Sequence, residues 1–335
     1  MKSYKLHGQI LTPLHIGDGT ELDPYDYVVR DRFYKINLAK FLYDLSAPQK
    51  EQFNAIPYSD IKEFREFIRE NIDLQRHAEY CADISPEARE LYDDKIDDPR
   101  NQLLISPFIR SLNRPYIPGS SLKGAIRTAI LFALTRDKPR ERDAHKLEAQ
   151  VLKCLNRWGY LDPSTDPFRA IKLSDSPLPE DSIQVERVFV AQRRDQEIQD
   201  VGIQMIREMT YSFAQGREVR FTFELRIDDD LLKKNKGIGI NIDPDLISSS
   251  CQDFYSAIMQ YDLERFFAGT EVESLYSDFL SSTGNKSFLL RLGWGAGFNS
   301  MTLNLKTARP LFIKSRRLTE KLLPLGWLKV EIDNL

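Results

Sequence analysis

Apolar and polar residues alternate near the start of the chain. Tyr4, Leu6 and Ile10 have polar neighbours, and Tyr27-Val28-Val29 and Phe33-Tyr34-Lys35-Ile36 flank Arg30-Asp31-Arg32. This period of two predicts a strand followed by a hairpin. Asn37 is placed to cap a short helix bearing Leu38, Phe41, Leu42 and Leu45. From 48 to 98 the chain is charged and carries Ile61, Phe64, Phe67 and Ile68 at helical spacing, so a helical insertion is expected, ending in an acidic run from Glu87 to Asp98. Leu103 to Arg110 reads as β. After Asn113-Arg114-Pro115, the stripe Leu122, Ile126, Ala129, Ile130, Ala133 predicts a helix started by serine caps, and a second helix is expected over roughly Ala144 to Trp158.

Residues 162 to 182 are rich in Pro, Ser and Asp and suggest a boundary. Beyond it, Ile183 to Ala191 is strand-like, Val219, Phe221, Phe223, Leu225 and Ile227 alternate cleanly, and 246 to 280 looks helical. Strand and glycine loop return at Phe288 to Phe298, before a final apolar stretch around Trp327. The expected class is α+β. It comprises an N-terminal unit over 1–180 with the insertion at about 48–98, and a C-terminal unit over 181–335 holding the glycine loop.

Charge changes this picture more than composition does. The 335 residues include 47 Lys plus Arg and 50 Asp plus Glu, a net −3 that points to no polyanionic partner. The distribution is uneven: Pro99 to Arg136 holds no acidic residue and carries +6, Phe279 to Thr319 holds none and carries +7, and the remainder carries −16. Both windows contain glycine motifs and aromatic residues (Tyr116, Trp294, Phe298), the materials from which proteins build single-stranded nucleic-acid sites. The competing reading is a pair of partly buried segments from which acids are excluded by packing.

Mean hydropathy is −0.42 and no apolar run approaches membrane-spanning length, so no membrane partner is expected. The first residues lack a signal-peptide pattern and the three cysteines are scattered, which fits a cytoplasmic location. Neither the cysteines nor the four histidines show metal-ligand spacing, so no metal or cofactor is expected.

Three motifs carry the candidate chemistry. In Ile117 to Arg127, Gly119, Ser120 and Ser121 place backbone N–H groups at a helix start suited to an anion, and Lys123 and Arg127 share a face taken as exposed. The alternative is an ordinary capped helix. Arg291 to Phe298 carries Gly293, Gly295 and Gly297 in a GxGxG array that lacks the third glycine of a dinucleotide fingerprint and suggests close backbone approach or a plain turn. In the first loop, His15, Gly17 and Gly19 precede Asp23 and Asp26. Asp18, Asp23 and Asp26 could support metal-assisted or general-base RNA cleavage, or simply form Asx turns.

Together, Leu11-Thr12-Pro13-Leu14-His15-Ile16-Gly17-Asp18-Gly19, Tyr116 to Gly124 and the late glycine loop resemble the RAMP superfamily of CRISPR effector proteins. Asp23 to Val28, Leu290 to Phe298, Lys314 to Leu318 and Pro324 to Leu328 resemble, within it, the fifth-subunit family of the type III-A (Csm) complex. The resemblance implies two ferredoxin-like (RRM-like) units. It also implies a non-catalytic subunit that caps the backbone filament at the 3′ end of the CRISPR RNA and assists its maturation. The implied partners are CRISPR RNA, backbone RAMP subunits and host nucleases. It places Gly17, Gly19, Lys123, Gly293, Gly295, Gly297 and Arg316 at or near the RNA. With the charge reading, the expected RNA contacts are His15, Gly17, Gly19, Arg114, Ser120, Ser121, Lys123, Arg127, Arg291, Gly293, Trp294, Gly295, Gly297, Arg316 and Arg317.

Overall fold

The computed structural model describes residues 1–98, 100–101, 103–137, 143–194, 197–234, 240–284, 287–301 and 315–334. Strands β1 (Lys2–Ile10), β2 (Tyr27–Val29) and β3 (Phe33–Ile36) lead into helices α1 (Leu38–Asp44), α2 (Ala47–Ala55), α3 (Ile61–Asn71) and α4 (Leu74–His77). Next come β4 (Ala78–Ile84), α5 (Pro86–Lys95), β5 (Ile105–Ser106), β6 (Arg110–Ser111) and β7 (Arg114–Ile117). Helices α6 (Gly119–Leu134) and α7 (Ala144–Val151) precede β8 (Ile171–Leu173), β9 (Ser176–Pro177), β10 (Ile183–Arg194), β11 (Glu197–Thr210) and β12 (Arg220–Ile227). The chain ends with α8 (Asp229–Lys234), α9 (Pro244–Asp262), α10 (Glu271–Ser281), β13 (Ser287–Arg291), β14 (Ser315–Thr319) and β15 (Trp327–Asn334).

The mixed α and β character agrees with the sequence pattern. The five-stranded sheet is ordered β13-β15-β1-β12-β8. Taken with α6 between β1 and β8 and α9 after β12, its four strands β15-β1-β12-β8 give the β-α-β-β-α-β connectivity of a ferredoxin-like unit. Leu122, Ile126, Ala129 and Ile130 of α6 are fully buried, and Tyr255 of α9 donates its hydroxyl to the Ala125 carbonyl (3.2 Å), tying the two helices together.

A second sheet runs β2-β3-β4-β10-β11-β5, with β14 also pairing to β10, and β6-β7-β9 make a third. The halves expected on either side of residue 180 are thus interleaved. β1 hydrogen-bonds to both β12 and β15, and β4 pairs in parallel with β10. Among the described residues the seven-stranded sheet does not repeat the ferredoxin-like order.

Local departures from the sequence reading have local causes. The insertion holds a strand, β4, as well as helices, and with α1 and the β2–β3 hairpin it encloses its own small core of Phe41, Leu45, Ile56, Phe67, Ile68 and Ile72. The helix after Asp143 stops at Val151 instead of Trp158. Lys153 takes φ +50, and Asn156 Oδ1 accepts the backbone N–H of Trp158 and of Tyr160, folding the rest into a tight loop.

Glu186 is buried on β10 and accepts from Gln184 Nε2 (2.9 Å) and Gln215 Nε2 (2.5 Å). Burial pushes its carboxyl from an ordinary 4.5 up to about 8. A group that holds its proton more tightly when folded contributes stability that is complete below its unfolded pKa and lost as pH rises through the folded one. Resistance to urea should therefore fall between about pH 4.5 and 8, and Glu186→Gln should remove that part of the slope. An unaltered pH profile in the variant would exclude this role.

Candidate nucleic-acid interface

The outer face of the five-stranded sheet is the first place to look, because RRM-like sheets stack bases on exposed rings. Here it alternates in charge. Lys5, His7, Arg220, Arg226 and Lys329 are interspersed with Glu224, Glu331 and Asp333, including the pairs His7–Asp333 (3.5 Å) and Arg226–Glu224 (2.7 Å). Among the described residues it presents no exposed aromatic ring. The candidate site lies elsewhere, where three segments distant in sequence meet.

Loop 11–19 is held on several sides. Leu14 O accepts Thr210 N (2.9 Å), Pro13 O accepts Gly326 N (2.9 Å) and His15 O accepts Trp294 N (2.9 Å). Glycine is required at two of these contacts: a Cβ on Gly293 would lie 2.3 Å from His15 O, and one on Gly326 would lie 2.1 Å from Leu292 O. The GxGxG array is therefore a close-approach loop that locks against the first motif. Gly17 packs beside the His15 ring, whereas Gly19 (φ +90) faces open space.

His15 is buried, donates from Nδ1 to the Glu208 carbonyl (2.7 Å), and accepts at Nε2 from Arg207 Nη1 (3.1 Å). Burial, reinforced by Arg207, lowers its pKa to about 4, so at neutral pH the ring is an uncharged acceptor that orients a cation. The Arg207 guanidinium lies 3.7 Å from the Trp294 ring centroid, and that of Arg317 lies 4.6 Å from the same ring. Burial and then the neighbouring Arg317 lower the pKa of Arg207 to about 10, and it remains charged. Among the described residues neither arginine forms an ion pair with an acid. Arg207 was missed in the sequence because β11 shows no clean alternation to mark it as a strand, and no motif singles out Met205-Ile206-Arg207-Glu208.

The other expected contacts divide sharply. Lys123 and Arg127 do not form an exposed face. Lys123 Nζ donates to the Ile171 carbonyl (2.8 Å), and burial lowers its pKa. Arg127 is held by Glu148 (2.7 Å) and Asp166 (2.8 Å) and lies over Phe168. Helix α6 begins without a serine cap. Pro118 is its N-cap, and the Gly119 N–H is taken by Asp175 (2.8 Å), a carboxylate of the chain itself at the place suggested for an external anion. Ser120 is exposed and Ser121 half-buried on that first turn, and neither caps the helix. Arg114 is exposed opposite Glu180 (3.5 Å).

Arg291 and Arg316 are buried and share Asp262, at 2.9 and 2.6 Å. The first basic window is thus largely neutralised by acids from elsewhere in the chain. In the second, Arg317 remains as an exposed cation, while Lys286, Lys306, Arg309 and Lys314 lie outside the described residues.

The loop aspartates act as turn formers. Asp18 accepts the N–H (2.9 Å) and hydroxyl (2.6 Å) of Thr20, Asp23 accepts Tyr25 N (3.3 Å), and Asp26 accepts Asp23 N (3.2 Å). Among the described residues no group of three or more His, Cys, Asp or Glu is arranged to hold a metal ion, and no helix is long and apolar enough to cross a membrane.

The chain is similar to known proteins both in sequence and in fold. The CRISPR system Cms protein Csm5 of Methanocaldococcus jannaschii is 27% identical over 333 residues, covering 92% of this chain and 73% of that protein. The Csm5 of Streptococcus thermophilus is 28% identical over 189 residues, 52% of each chain. In fold, a chain from the cryo-EM structure of a Csm-crRNA-target RNA ternary complex of a type III-A CRISPR-Cas system superposes with a TM-score of 0.74 at 23% identity, covering 99% of this chain and 100% of that one. The crystal structure of T. onnurineus Csm5 superposes at 0.67 with 21% identity, covering 96% and 99%. The RAMP superfamily model matches residues 9–300, and the chain belongs to that superfamily.

Proposed function

We propose that this chain is a non-catalytic, CRISPR RNA-binding subunit of a type III-A Csm effector complex, in the position its Csm5 relatives hold. The observation that carries the RNA reading is the pair of arginines without acidic partners among the described residues, Arg207 and Arg317, held over Trp294 where the first loop and the glycine loop lock together. Guanidiniums carried on a rigid ring offer forked donors to phosphates. On this reading the subunit caps the backbone filament at the 3′ end of the guide, contacts backbone RAMP subunits, and assists maturation by recruiting host nucleases in the cytoplasm. The seven-stranded sheet is its diverged second unit.

Photocrosslinking of the purified chain to CRISPR RNA should yield adducts in the peptides holding Arg207 and 293–298. Adducts confined to the outer face of the five-stranded sheet would overturn the assignment. The alternative, a ribonuclease using Asp18, Asp23 or Asp26, is tested by incubation with CRISPR RNA precursor and Mg²⁺. The RNA is expected to stay intact. Divalent-dependent cleavage abolished by Asp23→Ala would establish the enzyme instead.

A further inference from the structure

We propose that loop 155–160, which exposes the rings of Trp158 and Tyr160 and lays Arg157 over the first, is a second contact that stacks bases of single-stranded RNA. Most large apolar side chains exposed among the described residues stand singly along the chain, but Leu155 (47% exposed), Trp158 (68%) and Tyr160 (61%) fall in this one short loop. Scattered apolar side chains on a surface need no explanation, whereas a cluster marks a contact.

The loop is held rigidly. Leu155 and Leu161 form an antiparallel bridge, Asn156 N–H donates to the Tyr160 carbonyl (2.8 Å), and Asn156 Oδ1 accepts from Trp158 N (2.8 Å) and Tyr160 N (3.0 Å). Leu152 and Cys154 are buried and anchor its entry. A backbone fixed in advance loses little further freedom on binding. From Ala149 to Leu161 there is no acid, and Lys153 and Arg157 are both exposed. The nearest acids in sequence are engaged elsewhere: Glu148 and Asp166 hold Arg127, and Asp162 accepts the N–H (2.9 Å) and hydroxyl (2.7 Å) of Ser164. The Arg157 guanidinium lies 4.4 Å from the Trp158 ring centroid. Rings beside cations, with no acid among them, complement a single strand, whose bases stack while its phosphates meet the charge.

The loop leads through Pro167–Ala170 into β8, one edge of the five-stranded sheet, whereas the glycine loop leaves β13 at the other edge. Four strand spacings, about 19 Å, separate those edges, so this contact is distinct from the one at Trp294. That the strand is CRISPR RNA rests on the function proposed above.

The test follows binding of the full-length chain to a fluorescein-labelled oligouridine of about 30 nucleotides, long enough to reach both contacts, by anisotropy at several salt concentrations. Trp158→Ala should weaken binding about tenfold, and Trp158→Phe, which keeps a ring, by no more than about threefold. Arg157→Ala should lower the slope of log K against log salt by about 0.7. Melting temperatures should not change, because these side chains are exposed. The same tenfold factor should appear when Trp158→Ala is added to the Arg207→Ala, Arg317→Ala variant, as expected of contacts that share no partner. Unchanged affinity in Trp158→Ala overturns the proposal and leaves the Trp294 interface standing; if that variant also fails to assemble with backbone subunits, the loop is a protein contact instead. A loss confined to Trp158→Ala, with the arginine pair inert, upholds this contact and overturns the one at Trp294. A wild-type chain that binds no oligouridine overturns both.

Discussion

Replacing Arg207 and Arg317 together by alanine should weaken binding of single-stranded RNA by roughly 10- to 100-fold at moderate salt, and should flatten its salt dependence. Both guanidiniums lie over Trp294, and neither is ion-paired with an acid among the described residues, so their charge is available to phosphates. Each phosphate contact on a single strand contributes about 0.7 to the slope of log K against log salt, so losing two should reduce that slope by about 1.4. Affinity measured by fluorescence anisotropy at several salt concentrations reads both quantities. The double variant Arg207→Lys, Arg317→Lys keeps the charge and should hold the slope while losing affinity, because lysine lacks the planar fork that rests on the ring. An unchanged slope in the alanine variant would remove these residues from the interface. His15→Phe gives a milder version, since it deletes the acceptor that orients Arg207 at 3.1 Å.

Asp262→Ala should produce the largest loss of stability. Its carboxylate is the shared partner of Arg291 and Arg316, all three buried, so the substitution removes the carboxylate that both guanidiniums share in a low-dielectric interior. Removing one member of a buried pair costs about 3–5 kcal/mol. The cost falls on the junction of α9, β13 and β14, which carries the glycine loop, so RNA affinity should fall with stability. Urea unfolding followed by circular dichroism measures it, and a loss below about 1 kcal/mol would mean that the arginines are already compensated by other groups.

What could be read from the sequence was local. The buried stripe of α6, the alternation of β12 and the β2–β3 hairpin follow from side-chain period, which is set by backbone geometry within a few residues. Strands β4 and β11 were not legible, because their apolar positions are irregular and their conformation is imposed by pairing with β3 and β10. Of the site, the glycine loop, Trp294 and Arg317 could be named in advance, whereas Arg207 could not.

The two acid-free windows show the limit most clearly. Sequence counting establishes that Pro99–Arg136 and Phe279–Thr319 contain only basic charge. It does not establish where that charge is exposed. Folding brings Glu208 to Arg110, Glu148 and Asp166 to Arg127, and Asp262 to Arg291 and Arg316, across separations of 21 to 98 residues. Coulomb attraction depends on distance in space and on the dielectric of the surroundings, neither of which a linear charge count contains. By itself the sequence determined an α+β chain with the RAMP motifs and basic segments. Tertiary structure decided which arginines are spent holding the fold and which, at Arg207 and Arg317, lie over Trp294 with no acidic partner among the described residues.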